Sequence, residues 1–147
     1  MNLIKCIVST KCNVGSLIAR LTLGLVMFPH GAQKALGWFG GPGFHGTMEM
    51  FTGMMHIPAL FAVLAIAAEF LGSLGLIVGL FSRIAAFGIA VNMLVAILTV
   101  HAANGFFMNW FGKQKGEGYE YHLLAIAIAL AILVRGAGAL SLDRLLM

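Results

Sequence analysis

Charge is what this chain has least of. Only 10% of its 147 residues are Asp, Glu, Lys or Arg, against about 25% in an ordinary soluble domain. The net charge is a modest +4, and the basic residues form no run and no pattern interleaved with aromatics, so a nucleic-acid partner finds no support. Cysteine is scarce as well. Cys6 and Cys12 fit neither a CxxC redox pair nor a zinc pair and read as free thiols. There is no Walker loop and no GxSxG, and the glycines before Phe44 follow no strand, which removes P-loop, serine-hydrolase and dinucleotide chemistry. A CxxCH for c-type haem is missing, as are the paired mid-depth histidines of a b-type haem. Redox work by this chain therefore calls for a diffusible quinone or a partner with its own cofactor, and no covalently bound cofactor is expected.

What the chain does have is apolar length. Hydrophobic residues make up 61% of it, and the run from Ile57 to Phe81 carries one ionisable side chain, Glu69. About 20 apolar residues rising 1.5 Å each cross a ~30 Å hydrocarbon core. A carboxylate at that depth costs at least ~2.5 kcal/mol unless it is paired, protonated or turned into the bundle. Four spans are expected, over Val14–Gln33, Pro58–Leu80, Ile84–Ala103 and Tyr121–Leu140. Each is twice the ~10 residues of a membrane strand, and none alternates strictly. The fold class is thus an all-α integral membrane protein, a four-transmembrane-helix bundle. The first span lacks an A-x-A-like cleavage sequence and reads as an uncleaved anchor. The divisions are a segment 1–13, a membrane domain 14–142 and a tail 143–147.

Lys5, Lys11, Arg83 and Arg144 fall on one side of such a bundle, and Lys34, Lys113 and Lys115 on the other. The positive-inside bias places both termini in the cytoplasm. Ser82 and Arg83 leave room only for a tight hairpin turn. After the glycine-rich link behind span one, Phe44, Met48, Phe51 and Met55 recur at helical spacing and predict a short interfacial helix. Phe106, Phe107, Trp110 and Phe111 suit the headgroup region of the third connection.

Glu69, Gly72, Gly75, Gly79 and Arg83 share one stripe of the second span; Arg20, Gly24, Met27, Gly31 and Lys34 share one of the first. Such small-residue stripes suit close helix approach, so the two are expected to face each other. Counting the helical rise, Arg20 lies roughly 10 Å and Glu69 roughly 15 Å from the same side, which makes an Arg20–Glu69 pair plausible, with Arg135 a second candidate partner. Two readings of Glu69 stay open: an ion pair that sets helix register, or a group that carries protons or contacts a ligand.

A second polar set collects at the opposite end: His30, Lys34, His101, Asn104, Glu120 and His122, with Tyr119 and Tyr121 beside them. Imidazoles near a carboxylate can bind a quinone headgroup and exchange its protons. They are also competent metal ligands, but their spacing matches no metal motif, and equally suit a headgroup boundary. The methionines around Met48 to Met55 read as an apolar stripe before a copper(I) site. No metal is expected.

The stretch Arg20-Leu-Thr-Leu-Gly24, continuing to His30-Gly31-Ala-Gln-Lys34-Ala-Leu-Gly37, resembles the first helix and following motif of the DoxX family. The likeness extends through Ile57-Pro58, Glu69-x-x-Gly72, Gly79-Leu-Phe-Ser-Arg83, Asn104-Gly-Phe-Phe107, Glu120, and Gly136-Ala-Gly138 before Ser141-Leu-Asp143. The resemblance implies a small four-helix bacterial inner-membrane protein. One branch of that family supplies a membrane subunit of a thiosulfate:quinone oxidoreductase, and another is linked to redox-stress complexes. It brings no established catalytic set. The expectation is a membrane subunit of a redox system that meets quinone or organises a partner oxidoreductase. Glu69, Arg20 and Arg135 are its intramembrane candidates, and His30, Lys34, His101, Glu120 and His122 its outer mouth. A non-enzymatic scaffold or assembly factor is the alternative, and a small-molecule transporter the third reading. Expected partners are the bilayer, quinone, a soluble or peripheral redox protein and further copies of the chain.

Overall fold

The computed structural model describes residues 7–147; Lys5 and Cys6, which entered the sequence reading, lie outside the described residues. The first long helix, α1, covers Val14–Leu36. Asn13 starts it, its side-chain oxygen accepting from the Ser16 N–H at 2.8 Å, and Gly37 stops it in the left-handed region at φ 74°. A single 3₁₀ turn, Trp38–Gly40, leads to the short helix α2, Gly43–Glu49, which runs into a π-helical turn, Met50–Met54. The short helix predicted after span one is therefore present. Helix α3 spans Ala59–Val78 and α4 spans Ser82–Ala96. The latter continues through a π turn, Ile97–His101, and a 3₁₀ turn, Ala102–Asn104. Helix α5 covers Glu120–Arg135 and the short α6 covers Leu142–Leu145. No strand occurs among the described residues.

Three of these helical stretches, Val14–Leu36, Ala59–Val78 and Ser82–Asn104, are long and apolar enough to cross a membrane. The fourth expected span is shorter than its apolar run. Gly136, at φ 80°, ends α5 after 16 residues, a rise of ~24 Å, and the chain through Ser141 is non-helical. The four long helices pack as a ring, α1 on α3, α3 on α4, α4 on α5 and α5 back on α1. Leu23, Met27, Leu76, Ile89, Met93, Ala129 and Ile132 fill its centre. Leu25, Leu64, Leu71, Phe87, Leu98, Leu124 and Val134 point outward and are exposed. An apolar exterior around an apolar core suits lipid as solvent.

The glycine stripes divide their work. A Cβ on Gly31 would fall 2.6 Å from the Phe70 backbone, and one on Gly24 3.0–3.1 Å from Ile77 and Leu76, so α1 does ride directly on α3. Gly72 and Gly75, however, face Ile89, Ala85 and Leu80. They serve the α3–α4 hairpin and not the α1 contact expected of them. A helix has several small-residue faces, and the shared stripe alone does not say which neighbour each one meets.

Asp143 closes the hairpin end. Its carboxylate accepts from the N–H groups of Phe81 at 2.6 Å and Ser82 at 2.9 Å, while its own N–H donates to the Gly79 carbonyl at 2.8 Å. This is a cap supplied from 61 residues away, placed where the orphan N–H groups of α4 and its positive dipole end both favour an anion. It also explains how Phe81, which is not glycine, is held at φ 49°.

Candidate functional site

Glu69 lies on the buried face of α3, only 4% exposed. Its two carboxylate oxygens are taken by two other helices. Lys34 Nζ of α1 donates at 2.6 Å and Asn92 Nδ2 of α4 at 2.7 Å. The ion pair joins a carboxylate that is 5% exposed to an ammonium that is 24% exposed, so the pair spans from core to periphery. The antiparallel register explains the partner. Gly24 faces Ile77 and Gly31 faces Phe70, which sets Glu69 level with Ala32 and within reach of Lys34. From Ala32 back to Arg20 is twelve residues, or ~18 Å of helix.

The expected Arg20–Glu69 pair is therefore absent. Arg20 is fully buried and spends its guanidinium on backbone. Nε donates to Ala137 O at 3.1 Å, Nη1 to Leu76 O at 2.6 Å and Ile77 O at 2.8 Å, and Nη2 to Ala139 O at 3.3 Å and Leu140 O at 2.9 Å. Two of these carbonyls end α3, where the helix has no N–H to offer them; the other three belong to the irregular turn after α5. Arg135 is no partner of Glu69 either. It is exposed at the end of α5 and lines a cavity there with Lys11 and Arg83.

The imidazoles at the other end do converge. The rings of His101 and His122 lie against each other with centroids 4.0 Å apart and planes tilted by 39°, Tyr121 lies 5.4 Å from His122, and His30 lies 6.2 Å from Tyr121. His101 Nδ1 is 2.8 Å from the Glu117 carbonyl oxygen. A carbonyl only accepts, so Nδ1 carries the proton and Nε2 is the nitrogen left for other work. His122 is buried, and its Nδ1 has no hydrogen-bond partner among the described residues. His101 closes a π turn, Ile97–His101, and such turns recur at functional sites. His30 is one turn from Lys34, so the ring cluster and the Glu69 pair adjoin along α1.

Glu120 departs from the expected mouth. Its carboxylate accepts from Met108 N at 3.0 Å and Trp110 Nε1 at 3.2 Å, fastening the aromatic connection. No group of three or more His, Cys, Asp or Glu side chains among the described residues is arranged to hold a metal. Asn92 was missed by sequence reasoning, although an amide inside the apolar stretch Ile84–Leu98 is a readable signal. Tyr121 was named only as a neighbour, yet it links the two halves of the cluster. Its hydroxyl donates to Met27 Sδ at 3.4 Å, a weak acceptor. Beside it, an apolar furrow of about 190 Å³ runs between α1 and α5, lined by Thr22, Leu23, Val26, Leu124 and Ile128.

A family model described as DoxX matches residues 15–102, which takes in α1 through His101 and stops before α5. A protein of Bacillus subtilis (strain 168), named "Putative oxidoreductase CatD", is 31% identical over 87 residues. The aligned part is 59% of this chain and 60% of that relative, so the match leaves a good third of each unaccounted for. No solved structure matches.

Proposed function

Because this chain belongs to the DoxX family, we propose that it is a multi-pass inner-membrane subunit of a redox system that receives quinone at the His30–Tyr121–His122–His101 cluster. The observation that carries this reading is the pairing of a cluster of polar rings with an apolar furrow at Tyr121. A quinone is the molecule of that shape, a polar ring on an apolar tail. When bound it takes up two electrons and two protons to become a quinol.

The residues divide that task as follows. The furrow between α1 and α5 holds the tail. The Tyr121 hydroxyl, spent on a thioether that accepts poorly, is cheaply redirected to a carbonyl oxygen. His101 and His122 supply ring nitrogens, the free His101 Nε2 and the unpartnered His122 Nδ1, that can hydrogen-bond the quinone oxygens. Lys34 and Asn92 keep the Glu69 charge matched and fixed beside the site. The electrons come from a partner oxidoreductase, a reading supported by the name of the Bacillus relative. Helix α5 acts as a fourth span, and the basic Lys11, Arg83, Arg135 and Arg144 mark the end with both termini as cytoplasmic. The scaffold reading keeps one favourable observation, the exposed Phe107, Trp110 and Phe111 of the third connection, which could dock a partner.

The test is the quinone content of protein purified in detergent, compared with Tyr121→Phe, His101→Ala and Glu69→Gln variants. Near-stoichiometric quinone in the wild type, lost in folded Tyr121→Phe or His101→Ala, is the expected outcome. A folded wild type that binds no added quinone and still captures an oxidoreductase would leave the scaffold reading in its place.

A further inference from the structure

At the opposite end of the bundle from the quinone cluster lies a cavity of about 320 Å³ between the segment before α1 and the end of α5. Three cationic side chains line it, Lys11, Arg83 and Arg135, and no acidic one does. Lys11 and Arg135 are exposed, so water screens much of their repulsion with Arg83, and an anion sharing the space would offset the remainder. Arg83 is held in place by backbone, with Nε and Nη2 donating to Ser9 O at 3.4 and 3.1 Å and Nη1 donating to Leu133 O. Of its five N–H groups, two remain uncommitted.

Two further features point the same way. The start of α1 opens here, with Asn13 and Ser16 in the lining, so the positive end of a 23-residue helix adds to the field. Ser16, 4% exposed, also carries a buried hydroxyl with no hydrogen-bond partner among the described residues. A buried hydroxyl left alone costs ~1–3 kcal/mol, and Ser16 is part of this cavity's lining. The remaining wall includes Val134, exposed on the outer face of α5.

We propose that Lys11, Arg83, Arg135 and the start of α1 form a binding site for an anionic phosphate group. Guanidinium and ammonium groups match phosphate in charge and donor number. Two sources present that chemistry, free phosphate from the aqueous side and the headgroup of an anionic phospholipid reaching around Val134. The site is independent of the quinone reading, since none of its residues belongs to the His30–His122 cluster.

Thermal unfolding of the full chain in a neutral detergent tests it. One arm titrates inorganic phosphate; the other adds phosphatidylglycerol, with phosphatidylcholine as the zwitterionic control. The variants are Arg135→Gln and, as a matched loss of charge away from the cavity, Arg144→Gln. Both residues are exposed, so both variants fold. A saturable rise in Tm is expected for the wild type and for Arg144→Gln, with an apparent affinity about tenfold weaker in Arg135→Gln. A response to phosphatidylglycerol alone assigns the site to lipid; a response to both assigns it to free phosphate. No rise with either probe overturns the proposal, and so does equal weakening in the two variants, which would reduce the effect to overall charge.

Discussion

Replacing Arg20 by alanine should destroy the fold before it touches any chemistry. The five carbonyls it serves lie on two segments, the end of α3 and the turn from Ala137 to Leu140. Those of Ala137, Leu76 and Ala139 are engaged in fully buried bonds. An orphaned buried acceptor costs about 1–3 kcal/mol, so three of them amount to about 3–9 kcal/mol. The whole stability of a domain is about 5–15 kcal/mol. Arg20→Ala should therefore accumulate poorly and unfold at much lower temperature. Arg20→Lys should fall between the two, because an ammonium is a point donor and cannot reach both segments as the planar fork does. The assay is thermal unfolding in detergent for wild type, Arg20→Lys and Arg20→Ala, with quinone occupancy read on whatever remains folded. An Arg20→Ala protein within about 1 kcal/mol of wild type would refute the carbonyl cage as a structural tie.

Lys34→Met should cost about 3–5 kcal/mol by leaving Glu69 buried and unpaired, and Lys34→Met/Glu69→Leu should recover much of that loss; unfolding of the two singles and the double measures the recovery. Asp143→Ala should lower stability by about 0.5–2 kcal/mol through loss of the α4 cap, and protease susceptibility at the Gly79–Ser82 turn should rise with it. Gly31→Leu should push α1 off α3, since even a Cβ there meets backbone at 2.6 Å; loss of cross-linking between cysteines placed on the two helices is the readout.

Much of the architecture was legible because lipid imposes it. The lengths of the first three apolar runs and the tight hairpin at Ser82 and Arg83 follow from local sequence, and the helices begin within a few residues of where periodicity put them. The fourth helix was overextended because Gly136-Ala-Gly138 is apolar enough to prolong the run, while the positive φ of both glycines ends the helix. The convergence of His30, His101 and His122 at one end was readable as well, because helix order dictates which ends meet.

Which charge meets which was not readable in the same way. Residue counting gives a position along a helix only relative to a guessed membrane edge, and an error of a few residues at each end was enough to pair Glu69 with Arg20. The offset of α1 against α3 is decided by where Gly24 and Gly31 let two backbones touch, and that contact handed Glu69 to Lys34 and Asn92. Arg20 found its partners among main-chain carbonyls, which every residue carries and no sequence pattern marks. The sequence by itself determined that polar groups would be buried in a helical membrane bundle. Only the tertiary structure decided their partners, because pairing depends on the register and rotation of one helix against another.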